Sequence, residues 1–411
     1  MFSRGQIQLL VVLLVLSLAF QLGPLIVLTL LLLLSAAVAW GWQRFALANV
    51  SYTRTLSQHH AFPDDTVELT IQVVNRKPLP LTSLRVQETV AAALDWGNTP
   101  LQYHEKPSLR ILERMSSLRW YESVRWRYQV RCPQRGAFAF GPAVLEAGDP
   151  FGFTVQRAEV ADPVELVVYP RLLPLGELGL TARQPLGEVR RRQWLFADPT
   201  RTIGARDYQR DDPLKAIHWA ATARRSELQT RVYEPTTSLE LLIFLDLDTF
   251  TRYWEGTDPG QVERAISAAA TLAQEGLAER FSVGLAVNGM QAGRDGVIRI
   301  PPSRSPAQLD QIYDALARLV PYSVLPMASL LRQEALALPW GATVLLISAI
   351  APEPLRASLM RVRERGHPTT WLYLGDERPP AVPGVHIQHA PPQSAFQRPA
   401  ATRLVVNGVE G

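Results

Sequence analysis

The first 42 residues constrain the fold of this chain more than any other feature. From Ile7 to Trp42 the sequence contains no charged residue, and the run divides at Gln21–Pro24. The two halves, Ile7–Phe20 and Leu25–Trp42, are about 14 and about 18 residues long, near the roughly 20 apolar residues that a helix needs to cross a bilayer. We therefore predict two transmembrane helices joined by a Gly-Pro turn, within residues 1–45.

The charges flanking this run predict its orientation. Arg4 precedes the two apolar stretches, and Arg44 and Arg54 follow them, so the positive-inside tendency places both flanks in the cytoplasm. The soluble part of the chain is then cytoplasmic as well. Two alternatives stay open. A signal peptide cleaved after Ala37–Ala39 would require a much shorter apolar region, and a single kinked span would place the remainder outside.

Bulk composition excludes some classes of function. The 411 residues suffice for two folded domains, and a net charge of +4 without an aromatic-interleaved basic surface argues against a nucleic-acid partner. The lone cysteine, Cys132, excludes an internal disulfide framework and a zinc site built on several cysteines. No histidine lies near Cys132 in the sequence, so we expect a packed thiol rather than a nucleophile.

Residues 46–170 have the pattern of a β-domain. The stretch Thr66–Asn75 alternates apolar and polar residues with strand period, and Pro- and Gly-containing turns separate it from later runs that are rich in strand-forming residues. Those runs are Leu81–Val90, Ser116–Cys132, Phe138–Gly148 and Val164–Pro170. Gly148–Gly152 reads as a dense turn. Short strands without a long helix predict an antiparallel, immunoglobulin-like sandwich.

Residues 239–390 alternate strand and helix patterns. The continuous apolar run Leu239–Leu247 predicts a strand that is covered on both faces. The further predicted strands are Phe281–Val287, Ala342–Ile350 and Thr369–Gly375, and the predicted helices are Pro259–Arg280, Pro306–Val320, Ala328–Leu338 and Pro354–Arg365. This order favours a doubly wound, mostly parallel α/β sheet. The tail, residues 391–411, has the composition of a poorly ordered segment.

Between these domains, the linker of residues 171–238 contains the most unusual stretch of the chain. The segment Gly204–Leu228, here called the signature segment, combines dense charge with Tyr208 and Trp219. A charged, aromatic-bearing segment just before a core strand is typical of a binding surface. The alternative is a solvated linker, but linkers seldom carry tryptophan. We read the preceding Arg190–Arg192 as a solvated turn, with contact to lipid headgroups as the alternative.

The signature segment is predicted to be a turn that leads into a helix. Asp212 would cap this helix, Pro213 would occupy its first position, and Ile217 and Trp219 would anchor it on the sheet. Its charges would form a docking surface or an internal ion-pair network. The expected partner-binding residues are Arg206, Asp207, Tyr208, Asp212, Lys215, Trp219, Arg224 and Arg225.

The signature segment resembles the pattern G-x-R-x-Y-x-x-G-D-x-x-R-x-I-x-W-x-x-(S/T)-A-(R/K) of a bacterial membrane-protein family catalogued as domain of unknown function fifty-eight. The matching residues are Gly204, Arg206, Tyr208, Asp212, Ile217, Trp219, Thr222, Ala223 and Arg224. Asp211 and Lys215 depart from the pattern, at the positions of its second Gly and second Arg. The resemblance extends to RGAFAFGP, AGDPFGF and VVYPRL, and it implies a bacterial inner-membrane location.

The resemblance also implies a von Willebrand factor A-like fold for residues 239–390. That fold can bind a metal through D-x-S-x-S after its first strand, where this chain has Asp246, Asp248 and Phe250. A later carboxylate of the fold corresponds here to Ala349. Because Mg²⁺ needs six well-placed oxygens, Asp246 and Asp248 are only weak candidate ligands, and we expect no cofactor.

Two functions from different classes follow from the sequence. The resemblance implies a non-enzymatic membrane adaptor that works with a MoxR-type AAA+ ATPase and a transglutaminase-like membrane protein in envelope-related assembly or maturation. The alternative is a hydrolase with an acid-base site formed by Asp207, Asp212, His218 and Asp246. The sequence contains no G-x-S-x-G, H-E-x-x-H or Walker A motif, which favours the adaptor.

Overall fold

The computed structural model describes residues 4–149, 155–180, 197–209, 212, 214–235, 240–339 and 341–391. The chain divides into two compact units, Met1–Tyr169 and Pro170–Gly411. Four sequence features fall outside the described residues: the turn residues 150–153, Arg190–Arg192, Asp211 with the predicted helix-starting Pro213, and the tail beyond residue 391.

The first unit begins with two consecutive helices. Helix α1 (Arg4–Ala19) and helix α2 (Gly23–Phe45) are joined by a three-residue turn and contact each other. Pro24 lies in the first turn of α2, where its missing N–H removes no helical hydrogen bond. Among the helices that the structure describes, only α2 is long and apolar enough to cross a membrane, over the 20 residues Gly23–Trp42 with a mean hydropathy of 2.3. The two helices and the turn between them lie where the sequence predicts them, but two membrane spans stay a prediction, because α1 is too short to meet the same criterion.

Eleven described strands follow these helices. They are β1 (Val50–Leu56), β2 (His60–Ala61), β3 (Thr66–Asn75), β4 (Leu81–Ala91), β5 (Gln102–Tyr103), β6 (Leu109–Leu118), β7 (Ser123–Arg131), β8 (Gly136–Phe140), β9 (Ala143–Gly148), β10 (Val155–Val160) and β11 (Val164–Val168). They form three sheets with the orders β1-β3-β7, β10-β9-β4-β6-β5 and β2-β11-β8. All neighbours are antiparallel except β2 and β11.

Two sequence predictions in this unit are wrong in the same way. The run Ser116–Cys132 contains the end of β6 and all of β7, and Phe138–Gly148 contains most of β8 and all of β9. The chain reverses at Tyr121, which has a φ of 55°, and at Gly141, which has a φ of 107°. A residue with left-handed backbone ends a strand. Glycine adopts this conformation readily, so Gly141 is a recognisable strand end in the sequence, whereas Tyr121 is not.

The strands of this unit bury two apolar clusters. One contains Leu69, Phe140 and Cys132, and the other contains Val73, Leu84 and Ala46, the residue that follows α2. Burial, with a contribution from the nearby Asp65, raises the pKa of the Cys132 thiol to about 11. Cys132 is thus a packed thiol, as its sequence context predicts.

The second unit contains a six-stranded sheet. Its strands are β14 (Glu240–Leu245), β15 (Ser282–Val287), β17 (Ile298–Ser303), β19 (Thr343–Ser348), β20 (Thr369–Tyr373) and β21 (His386–His389). Their spatial order is β17-β15-β14-β19-β20-β21, and only β17 is antiparallel to its neighbour. A second, two-stranded sheet pairs β16 (Gly289–Gln291) with β18 (Leu319–Ser323). Strands β14, β15, β19 and β20 lie where the sequence predicts strands, whereas the sequence pattern does not predict β16, β17, β18 and β21.

Helices cover both faces of the larger sheet. They are α4 (Pro259–Ala278), α5 (Gln308–Ala317), α6 (Met327–Glu334) and α7 (Glu353–Glu364). Helices α6 and α7 pack with Leu242 and Phe244 of β14. Helix α4 also contacts β14. Because strand side chains alternate and Leu241 and Ile243 are also fully buried, α4 lies on the opposite face.

The signature segment is part of a β-hairpin that its sequence pattern does not predict. Strand β12 (Ala197–Asp207) pairs antiparallel with β13 (Gln229–Pro235), with register shifts near Thr202. The connection between them contains a 3₁₀ turn (Leu214–Ala216) and the short helix α3 (Trp219–Arg225). The predicted single helix is thus two separate helical turns that lie between paired strands.

Candidate functional site

The signature segment is held together by a bidentate ion pair. Arg206 Nη1 and Nη2 donate to Asp212 Oδ2 and Oδ1, at 2.8 and 2.6 Å. Arg206 also donates to the carbonyl oxygen of Asp207, at 3.1 Å. Fork-like pairing of a guanidinium with a carboxylate fixes both side chains in orientation as well as distance. This pair belongs to an internal network, one of the two roles predicted for the charges of the segment.

Asp212 is the centre of that network. Its carboxylate also accepts hydrogen bonds from the Gln209 backbone N–H, at 2.9 Å, and from Thr230 Oγ1, at 3.1 Å. The Tyr208 hydroxyl donates to the Asp212 carbonyl oxygen, at 3.3 Å. The hydrogen bond from Arg206 is the largest of the effects that lower the pKa of Asp212 to about 2. Asp212 therefore closes the turn that precedes it instead of capping a helix, and that prediction is wrong.

His218 caps helix α3 in place of Asp212. Its ring nitrogen Nδ1 accepts from the Ala221 backbone N–H, at 3.2 Å. The backbone N–H of His218 donates to the Gln229 carbonyl oxygen, at 2.7 Å. The Gln229 N–H in turn donates to Thr222 Oγ1, at 3.0 Å, so β13 fastens α3 at two points. The buried Gln229 side chain donates to Asp207 Oδ1, at 2.7 Å.

Apolar side chains of the signature segment face solvent. Trp219 is 67% exposed, Leu214 is 72% exposed and Leu228 is 46% exposed. Ile217, by contrast, is buried and forms a bridge with Thr230. The prediction that Ile217 anchors the segment agrees with this burial, but the same prediction for Trp219 is wrong. Apolar groups that remain exposed on a fixed scaffold are typical of an interaction surface.

Basic side chains accompany these apolar groups. Lys215, Arg224 and Arg225 are all exposed, and the two arginines occupy the last turn of α3. Cations at this position interact favourably with the C-terminal end of the helix dipole. Helix α3 ends at Ser226, whose left-handed φ of 58° directs the chain back towards β13. Together with Trp219, Leu214 and Leu228, these cations form what we call the α3 surface.

A second group of polar residues lies at the carboxyl ends of the central strands. Asp246 is almost completely buried, and its Oδ1 accepts from Asn288 Nδ2, at 2.8 Å, and from the Asp248 N–H, at 3.2 Å. Asn288 Nδ2 also donates to Asp248 Oδ2, at 3.4 Å, and the Ser323 hydroxyl donates to Asp248 Oδ1. Asp246 Oδ2 is buried and has no hydrogen-bond partner among the described residues.

This arrangement fits magnesium poorly. Burial, reinforced by the charge of Asp248, raises the pKa of Asp246 well above its ordinary value, which favours a neutral carboxyl group. Three of the four oxygens of Asp246 and Asp248 already accept hydrogen bonds, and Mg²⁺ demands an octahedral set of oxygens. Among the described residues, no group of three or more His, Cys, Asp or Glu side chains could hold a metal. We therefore treat the two residues as a hydrogen-bonded carboxyl pair.

The four residues of the predicted hydrolase site have separate partners. Asp207 bonds Gln229, Asp212 bonds Arg206, and His218 caps α3 through its ring nitrogen. Asp246 bonds Asn288 and follows β14. Within the described part of the chain, no hydrogen bond or ion pair joins Asp246 to the other three residues, so the structure gives no support for a shared acid-base site.

A known family model matches this chain from the signature segment onwards. Residues 204–387 match the family model "Protein of unknown function DUF58", so the match begins at the first residue of the signature segment. The "Uncharacterized protein YeaD" of Bacillus subtilis (strain 168) is 21% identical over 256 residues. That alignment covers 60% of this chain and 58% of YeaD, so the chain spans little more than half of this relative.

Solved structures show only weak likeness. The Pseudomonas fluorescens alkylpurine DNA glycosylase AlkC is 12% identical, with 36% of this chain and 38% of that chain covered and a TM-score of 0.20. A non-cellulosomal cohesin from Archaeoglobus fulgidus is also 12% identical, with coverage of 29% and 91% and a TM-score of 0.19. At these TM-scores the likenesses carry no conclusion about fold or function.

Proposed function

We propose that this protein is a membrane-anchored, non-enzymatic adaptor that binds its partner through the α3 surface. The proposed anchor is the hairpin of α1 and α2, of which α2 is long enough to span a bilayer, and the soluble units face the cytoplasm, as the arginines flanking the apolar run predict. The proposed partner is a MoxR-type AAA+ ATPase, with a transglutaminase-like membrane protein in the same assembly. The family resemblance is the source of both partners, and envelope-related assembly or maturation is the proposed process.

The exposure of Trp219 carries this proposal. A tryptophan that serves only the fold is normally buried, and Trp219 lies on a short helix whose position is fixed by β13 and by the Arg206–Asp212 network. Fixing in advance the helix that carries an exposed aromatic residue lowers the entropy loss that binding must offset. Aromatic and arginine side chains are also the residues that most often dominate binding energy at protein interfaces.

The chemistry of the α3 surface defines the partner surface that would fit it. Trp219, Leu214 and Leu228 require an apolar pocket, while Arg224 and Arg225 require acidic groups at its edge. Charge complementarity of this kind mainly accelerates association and selects among partners. We therefore propose an acidic surface on the ATPase, with an apolar depression for the indole ring.

Two fold names, one predicted from the strand pattern and the other implied by the resemblance, are part of the same proposal. An immunoglobulin-like sandwich for residues 46–170 is supported by the antiparallel sheets of the first unit. A von Willebrand factor A-like domain for residues 239–390 is supported by a central β14, parallel neighbours and one antiparallel strand, β17. Both are common scaffolds for protein recognition, although a fold by itself does not establish a function.

Substitution of Trp219 tests the proposal directly. We expect Trp219→Ala to weaken binding of the purified ATPase to the full-length protein in mild detergent by about 30-fold, as for an interface hot spot. Trp254→Ala is the matched control, because Trp254 is 66% exposed and lies outside the signature segment. The dissociation constant is measured by titrating the ATPase onto the immobilised full-length protein. Co-purification from host membranes identifies the partner.

A double variant tests the role of charge. Replacing Arg224 and Arg225 together by glutamate is expected to slow association and to reduce the dependence of the association rate on salt.

Equal affinities for the Trp219→Ala and Trp254→Ala proteins would show that the α3 surface is not the binding surface. Failure to co-purify any AAA+ ATPase from host membranes, with its gene intact, would overturn the choice of partner.

A further inference from the structure

The end of helix α2 is built into the core of the first unit. Ala46, the first residue after α2, has no exposed surface and packs with Leu84 and Leu118. The Leu47 N–H donates to Gln156 Oε1, at 2.8 Å, so the chain is fixed at the next residue as well. Consequently no free linker separates the helix from the strands.

Lys77 ties the turn between β3 and β4 to this helix end. Its Nζ donates to the carbonyl oxygens of Ala46, at 2.6 Å, and Ala48, at 2.9 Å. The neighbouring Arg76 N–H donates to the Asn49 carbonyl oxygen, at 3.0 Å. Lys77 is only 6% exposed, and burial lowers its pKa to about 8. A cation that pairs with the last carbonyls of a helix stabilises that end.

The turn between β6 and β7 is attached to the same place. The Tyr121 N–H donates to the Lys77 carbonyl oxygen, at 3.3 Å. Asn75 Nδ2 donates to the Arg119 carbonyl oxygen, at 2.9 Å, and the Arg119 N–H donates to Glu122 Oε2, at 2.6 Å. Lys77 therefore connects the Arg119–Glu122 turn to the end of α2: its carbonyl oxygen accepts from Tyr121, and its side chain donates to Ala46.

This turn exposes the residue types of a membrane interface. Trp120 is 62% exposed and Tyr121 is 68% exposed, and Arg119 and Arg76 beside them are also exposed. Tryptophan and tyrosine concentrate where apolar chains meet headgroups, and arginine side chains bind anionic phosphates there. Buried neighbours such as Leu118 show that the exposed pair is not a continuation of the core.

We propose that the Arg119–Glu122 turn is a second membrane contact, which inserts Trp120 and Tyr121 into the headgroup region beside the end of α2. This inference rests on the proposed function only in that α2 spans a bilayer. The occupant of the surface is the lipid itself, because the turn is fixed next to the point where the spanning helix leaves the membrane. The contact sets the orientation of the whole first unit on the membrane surface.

The test places a fluorophore at the turn. Trp120→Cys is labelled with a polarity-sensitive dye in the full-length protein, one copy per nanodisc of phosphatidylcholine and phosphatidylglycerol, and Trp254→Cys is the control of equal exposure. The native Cys132 is buried and is replaced by alanine in both proteins. We expect the label at position 120 to be quenched about threefold less by iodide than the label at 254.

A lipid-borne quencher separates lipid contact from protein contact. Brominated phosphatidylcholine is expected to quench the label at 120 and to leave the label at 254 unchanged. Quenching by iodide to the same extent at both positions, in protein that stays in the membrane after carbonate extraction, would overturn the second contact but leave the anchor intact. Release of the protein by carbonate would instead overturn the anchor. Thermal unfolding of the variants confirms that both retain the fold.

Discussion

At the scale of single residues, Asp246 shows how position determines charge. The residue follows the central strand β14, where its carboxyl group is buried and Asp248 lies two residues away. Both burial and the neighbouring negative charge disfavour ionisation, so the folded state holds a proton that the unfolded chain releases at much lower pH. The folded protein therefore becomes less stable as pH rises above the ordinary pKa of aspartate.

Asp246→Asn is expected to remove this pH dependence. The amide keeps an oxygen that can accept from Asn288 and from the Asp248 N–H, and like the protonated acid it carries no charge. At pH 8 we expect the variant to unfold at a higher temperature than the natural protein, while near pH 4 the two should be alike. Thermal unfolding across this pH range measures the effect. Asp295→Asn, at an exposed site, should leave the pH dependence unchanged.

The sequence identified the residues of the signature segment but not their environments. Arg206 and Asp212 were expected in a charged patch, and the structure joins them in a bidentate pair. Trp219 was expected to be buried because tryptophan usually is, yet α3 contacts β13 through His218 and Thr222 instead. A helix of seven residues has too little periodicity to show which face is buried.

At the scale of elements, a buried ion pair links two sheets of the first unit. Arg54 of β1 donates to Glu88 of β4, and the hydroxyl of Tyr52 donates to the same carboxylate. The Arg54 and Glu88 side chains are 2% and 0% exposed, and Arg54 also donates to the Asp162 carbonyl oxygen. Removing one partner of such a pair leaves the other charge buried and unpaired.

Arg54→Ala is therefore expected to destabilise the protein by about 3–5 kcal/mol. Arg85→Ala is the control, because Arg85 is 43% exposed and pairs with Glu113 and Glu146 only at 3.7 Å. We expect the control to cost at most about 1 kcal/mol. Chemical denaturation of both variants in detergent gives the two free energies of unfolding. Similar losses for both would contradict the central role of burial.

Strand prediction succeeded where burial alternates and failed where long-range pairing decides. The strand Thr66–Asn75 is found with the predicted bounds because every second residue is buried. Strand β12 and its partner β13 have charged and polar sequences, and their pairing across a connection that contains α3 leaves no local periodic signal. Strand propensity depends on such context more than helix propensity does.

At the scale of the whole molecule, the proposed topology predicts which side of the membrane each unit occupies. Protease added to intact spheroplasts should leave both soluble units uncut, whereas protease added to inside-out vesicles should digest them. A cytoplasmic protein and a periplasmic domain of known location serve as controls. Digestion from outside would support the single kinked span, and a mature chain that begins after Ala39 would show that the apolar run is a cleaved signal.

The direct passage from α2 into the β-core has a mechanical consequence. A helix on a flexible tether can tilt without moving its cargo, but α2 ends in Ala46, which is itself a core residue clamped by Lys77. Helices tilt when the bilayer becomes thinner than their apolar length. In a thinner membrane, the strands of the first unit would then rotate together with α2 as one rigid body. Bilayer thickness would thus set the angle between these strands and the membrane plane.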